Sequence, residues 1–214
     1  DAWNIDPKYQ EIPLNDFQLQ SIAWLEQGPV RQTIRIIKTF NQSTFIQDYT
    51  LNDQSPVLDI HTEADWHETH VLVKAAFPFI ISVPYATYEI PYGAIQRSTV
   101  PQNSYEAAKW EVPALRWADL SQTNFGVSIL TDYKHGFSAA PNQLQITLLK
   151  APLWPDPQAD RGQHSFRYGI YPHSSGWEAA HTVHRAYNAN FPIYPCFLHA
   201  DETSADATLF KSCL

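Results

Sequence analysis

The chain has 214 residues, 44% of them hydrophobic, and a formal net charge of -8, enough apolar material for one large domain or two small ones with a real core. Its charges lie in short mixed stretches with no basic run, which argues against nucleic acid or an anionic membrane surface as a partner. No apolar stretch approaches the roughly 20 residues needed to span a bilayer, and the opening DAWNIDPKYQ has neither the basic nor the apolar region of a signal peptide. Cys196 and Cys213 are the two cysteines; a large domain without a disulfide framework fits free thiols and a reducing compartment. The chain has no methionine and starts at Asp1, so it is expected to be an internal piece of a longer polypeptide.

Residues 1–28 are mixed in pattern and read as a lead-in segment of the domain that occupies 29–214. From there short apolar alternations bounded by Pro, Asn, Asp and Gly dominate, the pattern of strands rather than helices. Strands are predicted at Thr33–Phe40, Thr44–Leu51, Val57–Glu63, Val71–Phe77, Tyr85–Ile90, Val127–Leu130, Leu144–Leu149 and Phe166–Tyr171. Connections such as Asn52-Asp53-Gln54-Ser55-Pro56 carry turn chemistry. Sixteen prolines agree, because Pro is kept out of central strands and helix interiors. One helix is predicted near the end, from a capping box at Ser175 and Glu178 through Ala179, Val183 and Ala186 to Asn190, with Pro192 stopping it. The expected class is all-β, an antiparallel sandwich with at most one or two short helices.

Chemistry is harder to find. In DIHTEADWHETH, Asp59 to His70, a strand would place His61, Glu63, Asp65 and His67 on one face. Ligands in a straight row about 7 Å apart cannot converge on one ion without a second element, so a solvated polar face opposite Leu58, Ile60, Ala64 and Trp66 is the stronger reading. His181 and His184 are three apart on the predicted helix and lack an evident third ligand. No metal site is therefore assigned. Glu89, Glu106, Glu111, Asp119, Asp132 and Asp156 supply carboxylates, but sequence does not say which two could flank a sugar. There is no phosphate-cradling loop, nucleophile elbow or Cys-x-x-Cys pair. Trp110, Trp117, Trp154 and Trp177, with Tyr85, Tyr88 and Tyr92, could stack on sugar rings, although burial in a sandwich core explains them as well.

Two runs carry a resemblance. ATYEIPYGAIQRST, Ala86 to Thr99, and AAKWEVPALRWADLS, Ala107 to Ser121, resemble the C-terminal domain of glycoside hydrolase family 38 α-mannosidases. The likeness continues through FGVSILTDYKHG at 125–136, LQITLLKAPLWPDPQADRGQHSFRYGIYPH at 144–173 and AYNANFPI at 186–193. Upstream, GPVRQTIRI, STFIQDYTL and ADWHETHVLVKAAFP are also similar, so nearly the whole chain is covered. The likeness is to the cytosolic or vacuolar branch and its bacterial relatives, which implies a cytoplasmic location.

The resemblance implies a galactose-mutarotase-like supersandwich that follows an N-terminal catalytic domain of the same chain. The parent would be a retaining enzyme acting on terminal α-linked mannose of an oligosaccharide, through a carboxylate nucleophile and a zinc ion held in that catalytic domain. No matching nucleophile or zinc-ligand motif occurs in these 214 residues, so the fragment alone is expected to be inactive and to hold no cofactor. By the same resemblance a basic residue at a strand end, Lys150, would reach the rim of the substrate pocket, where many relatives carry Arg. Arg116, Trp117 and Asp119 are further rim candidates; the competing reading has Arg116 and Asp119 locking a turn by a salt bridge, with Trp117 in the core. An independent carbohydrate-binding module and an architectural or homo-oligomerising domain are the alternative functions.

Overall fold

The computed structural model describes residues 2–6, 8–14 and 16–191. Cys196, Cys213 and Pro192, and with them the expectations about thiols and the helix stop, lie outside the described residues. The strands are β1 (Gln18–Gln27), β2 (Arg31–Phe40), β3 (Ser43–Asn52), β4 (Leu58–Trp66), β5 (Val73–Pro78), β6 (Tyr85–Ile90), β7 (Gly93–Ser98), β8 (Val112–Pro113), β9 (Trp117–Gln122), β10 (Phe125–Thr131), β11 (Gly136–Ala140), β12 (Gln143–Leu149) and β13 (Gly162–His173). Two helices accompany them, α1 (Ser104–Ala107) and α2 (Thr182–Asn190).

Nine strands form one antiparallel sheet in the order β1-β2-β3-β4-β13-β10-β9-β6-β7, and four form a second, β5-β12-β11-β8. The expected all-β antiparallel sandwich is what the chain forms. Alternation explains how the layers meet. Along β4, Ile60, Thr62, Ala64 and Trp66 are buried, while Asp59, His61, Glu63 and Asp65 point to the other face. Its neighbour β13 is in register, Phe166 opposite Thr62 and Tyr168 opposite Ile60, so the same face continues across the strands. On the four-stranded side Phe137, Leu144 and Ile146 meet it. Trp66 anchors one end of this core, stacked on Phe40 and edge-on to Phe45.

The opposite face of the nine-stranded sheet is covered locally. Helix α2 lays Ala186 over Trp117, Leu130, Tyr171 and Val57, a second apolar cluster. Helix α2 starts at Thr182, with His181 before it in the left-handed region (φ 55°) and no side-chain cap. The predicted capping box at Ser175 and Glu178 is therefore not made. Instead residues 176–182 close turns, the amide of Ala180 donating to the carbonyl of Gly176 and that of Thr182 to Trp177.

All eight predicted strands are present, most extended by one to four residues. Five others were not anticipated. Strand β1 exposes nearly every residue and so shows no alternation; β9 runs Trp117 to Leu120 buried on both faces, between the core and α2, which also erases alternation. The lead-in segment contributes β1 as the edge strand, with register shifts between Leu19 and Ser21 and between Trp24 and Glu26, bulges of the kind that discourage edge-to-edge pairing.

Register places Ile22 of β1 opposite Ile36, and Trp24 opposite Ile34, with Ile34 opposite Tyr49 on β3. Tyr49 is in turn opposite the core residue Ile60, so this row lies on the core-facing side of the sheet. Ile22 and Trp24 nevertheless remain 61% and 52% exposed. The result is an apolar shelf running out from the core along β1 and β2.

Candidate functional site

The four rim candidates do not converge. Lys150 follows β12 in the four-stranded layer. Its amide and that of Ala151 both donate to Asp160 Oδ2 at 2.9 Å, and its ammonium donates to the carbonyl of Asn4 in the lead-in segment. Burial holds the Lys150 amine below its ordinary value, partly offset by Glu111 and Asp160. Lys150 is thus a half-buried cation at a strand end, clasped by the lead-in segment.

Arg116, Trp117 and Asp119 belong to the other layer, under α2. The Arg116 guanidinium is hydrogen-bonded to both oxygens of Glu89, whose carboxylate raises the Arg116 pKa further, and lies 3.9 Å from the Tyr187 ring centroid of α2. The salt bridge considered between Arg116 and Asp119 is not formed. Residues 117–122 are an extended strand rather than a turn, which separates positions 116 and 119 by about 10 Å along the chain.

Trp117 is buried, 4.9 Å from Trp177 between ring centroids. Asp119 has no exposure at all. It accepts from Ser121 Oγ, from Ser128 Oγ at 2.7 Å, and from His173 Nε2 at 2.8 Å. His173 Nδ1 faces the carbonyl of Ser175 at 2.6 Å. Both ring nitrogens therefore lie within hydrogen-bond reach of acceptors, the Asp119 carboxylate on one side and the Ser175 carbonyl on the other. Thr182 Oγ1 of α2 joins at 3.0 Å from Ser128. Asp, His and Ser side chains together suggest nucleophilic chemistry, yet this set is sealed from solvent, and Ser128 bonds the carboxylate directly. It is a polar rivet between α2 and the sheet, and Trp117 and Asp119 present no side chain to a sugar at a rim.

The acidic run behaves as its strand dictates. Asp59, His61, Glu63 and Asp65 lie in a row, His61 bonded to Ser165 on β13 and Asp65 to His67. The rings of His181 and His184 meet edge-on at 5.8 Å. Among the described residues no three His, Cys, Asp or Glu side chains gather to hold a metal. A zinc ion does not fit the donor sets of the described residues.

Two grooves remain. One, of about 630 Å³, crosses the outer face of the large sheet and carries Glu26, Asp48, Asp59 and Asp132 against Arg31 and Arg167. Asp48 is held low by its bidentate pair with Arg35, whereas burial raises Asp59. The second groove, of about 490 Å³, lies beside β7, between that edge strand, the segment around α1 and strands β11 and β12. Tyr9, Tyr85 and Trp110 line it together with Arg97, Gln143 and Gln145. The Arg97 Nε is buried without a hydrogen-bond partner among the described residues. Arg97 stands inside a run singled out for family resemblance, but only the strand pairing that turns it inward, opposite Ala86, marks it as a site residue.

Comparison with known proteins now places the chain. The family described as "Glycosyl hydrolases family 38 C-terminal domain" matches residues 1–158, and the chain belongs to it. It is 43% identical over 151 residues to α-mannosidase 2C1 of Mus musculus, covering 71% of this chain and 14% of that protein. Against α-mannosidase G of Dictyostelium discoideum it is 32% identical over 221 residues, 99% of this chain and 20% of the relative. The crystal structure of an α-mannosidase from Enterococcus faecalis V583 shares the fold, with a TM-score of 0.73 at 16% identity over 83% of this chain and 24% of that one. The chain thus spans a fifth or less of the curated relatives named here. No helix among the described residues is long and apolar enough to cross a membrane.

Proposed function

We propose that the chain is the non-catalytic β-sandwich portion of a retaining α-mannosidase that removes terminal α-linked mannose from glycans. Its task is to complete and support an active site built by an N-terminal catalytic domain of the same polypeptide. The observation that carries this is the match itself: a C-terminal-domain family, aligned with a fifth or less of relatives that are named α-mannosidases. The apolar shelf of Ile22, Trp24, Ile34 and Ile36 supports it, because a contiguous apolar surface beside a finished core is what a covering domain leaves behind when viewed alone.

In this reading the carboxylate nucleophile and the zinc ion are supplied by the catalytic domain, the zinc gripping sugar hydroxyls as a Lewis acid. Lys150 is the rim residue, its backbone amide held at a strand end by Asp160 and its ammonium by the lead-in segment. A lysine there offers a point charge rather than the planar fork of an arginine. The two-cysteine composition supports a cytoplasmic setting.

The test is Lys150→Ala in the full-length protein. Turnover of an aryl α-mannoside should fall while the thermal unfolding midpoint stays put; unchanged kinetics would remove Lys150 from the rim. Full-length protein with no mannosidase activity would remove the parent function. Sedimentation of the 214-residue chain tests the shelf: a monomer that associates only when the preceding domain is supplied supports the reading, and self-association at micromolar concentration opposes it.

A further inference from the structure

The turn that joins β6 to β7 breaks a local rule at its most exposed point. It consists of Pro91 and Tyr92, closing a hairpin in which Ile90 pairs with Gly93. Tyr92 lies in the left-handed region, φ 63°, where a Cβ crowds the backbone and where glycine or asparagine is the ordinary choice after proline. The neighbouring Gly93 does not take that position, and among the described residues Tyr92 is the one Phe, Tyr or Trp that does. A conformation of this kind is kept only where other interactions outweigh its strain. The described residues give no burial in return, for the Tyr92 side chain is fully exposed.

Strand direction places this turn. β6 runs antiparallel to β9, with Thr87 opposite Asp119 and Tyr88 opposite Ala118, so the turn lies at the end where β9 starts. Trp117 of β9 pairs with Leu130, and β10 therefore finishes at that end too. After the short connection 132–135, β11 sets out from it, and β12 returns to it with Ile146 opposite Phe137, finishing beside Lys150. Tyr92 and Lys150 thus stand at one end of the sandwich, on different layers. The first described residues are at this end as well: the amide of Ala2 donates to the carbonyl of Trp154 at 2.9 Å, and the carbonyl of Asn4 accepts from the Lys150 ammonium. A domain that precedes these residues is delivered here. Ile80, also fully exposed, is at the opposite end, where the amide of Phe79 donates to the carbonyl of Asn142 between β11 and β12.

We propose that the Pro91-Tyr92 turn is a docking knob for the N-terminal catalytic domain of the same polypeptide, the Tyr92 ring seated in that domain's surface alongside the Lys150 strand end. The identity of the occupant rests on the parent function proposed above. A tyrosine offers a large, rigid, amphipathic face, which is why such residues dominate the energetics of protein interfaces, and burial of the ring there offsets the left-handed backbone. The hairpin is braced from behind. Glu89, itself buried, holds the Arg116 guanidinium through both oxygens and accepts from the Arg116 amide at 2.7 Å, so the knob is presented in a fixed position and little order is lost on docking.

Maleimide labelling of two full-length variants, Tyr92→Cys and Ile80→Cys, followed peptide by peptide by mass spectrometry, tests it. Both side chains are fully exposed within the 214 residues, so a cysteine at either position should react alike unless something covers it. In the native full-length protein the cysteine at 92 should react at least about tenfold more slowly than the one at 80, and urea should erase the difference. If either variant fails to fold, hydroxyl-radical oxidation of the wild-type protein replaces it. Tyr92 is more exposed here than Tyr85 at the start of β6, and coverage should reverse their order of oxidation. Equal labelling at 92 and 80, or faster oxidation of Tyr92 than of Tyr85, would overturn the proposal. Protection of 92 that fades on dilution would also overturn it, by making the occupant a second copy of the chain. Protection is read without turnover, so a full-length protein that shields residue 92 yet releases no mannose upholds the interface while removing the parent reaction.

Discussion

Replacing Asp119 with Ala should destabilise the fold severely. Asp119 and His173 have side chains 1% and 3% exposed, and the carboxylate receives three hydrogen bonds, from Ser121, Ser128 and His173. Alanine leaves the buried His173 ring and the Ser121 and Ser128 hydroxyls without the carboxylate they bond. Breaking a buried pair in this way costs about 3–5 kcal/mol, a large share of the ~5–15 kcal/mol that holds a typical domain. Asp119→Asn keeps the shape and one acceptor, so its cost should be smaller, about 1–3 kcal/mol. Urea unfolding followed by tryptophan fluorescence reads both, Trp117 and Trp177 lying in the adjoining cluster. The midpoint should fall by roughly 1–2 M for the alanine variant at an unchanged slope. The double variant Asp119→Ala with His173→Ala should lose less than the sum of the two single losses, because both single variants break the same buried hydrogen bond. Hydrogen exchange should quicken first in α2, which the rivet ties to the sheet through Thr182 and Ser128. A loss under about 1 kcal/mol for Asp119→Ala, or fully additive losses, would refute the assignment of these residues to a load shared between helix and sheet.

Other consequences follow from single features. Trp66→Ala, at a side chain with no exposure packed on Phe40 and Phe45, should cost about 3–5 kcal/mol in the same unfolding assay. Gly126→Ala should destabilise through sterics, since an added Cβ would collide with the His173 ring and the Ser121 hydroxyl; circular dichroism melting checks it. Burial raises the folded-state pKa of Asp59, so the native state holds that proton more tightly than the unfolded chain. Stability from this group is present at acid pH and declines as pH rises from the ordinary value of 3.8 through the raised one. Asp59→Asn should therefore stabilise at pH 7 relative to wild type, and the gain should vanish toward pH 3, as urea midpoints across that range would register. Arg35 and Asp48 show the opposite sign: the depressed Asp48 pKa gives stability that is present above 3.8 and lost as pH falls through the folded value, so Asp48→Asn should destabilise at pH 7 and be nearly neutral in acid.

The strand content was legible wherever one face of a strand meets the core and the other meets water. Strand β4 is the clearest case: alternation in LDIHTEADW alone separated Ile60, Ala64 and Trp66 from His61, Glu63 and Asp65, and it dismissed the acidic row as a metal site. Strands β1 and β9 escaped notice for opposite reasons, one exposed on both faces and the other buried on both, and in neither case does period-2 contrast survive. The helix near the end was visible in Ala186 and Val183, but its start was not. The turns at 176–182 are set by backbone hydrogen bonds and by docking against Trp117 and Tyr171, and these override the local capping signal.

Local order and chemical type were thus written along the chain, because alternation, turn residues and charge act over a few positions. Which side chains meet was decided only by strand order: β13 crosses between β4 and β10, and this carries His173 to Asp119, 54 positions away. Glu89, not Asp119, reaches Arg116 for the same reason, since hydrogen-bonded neighbours in a sheet are set by long-range pairing. The inward turn of Arg97 depends likewise on the pairing of β6 with β7 across the edge of the sandwich. Periodicity specifies the face of a strand; only the packed sheets specify what that face looks at.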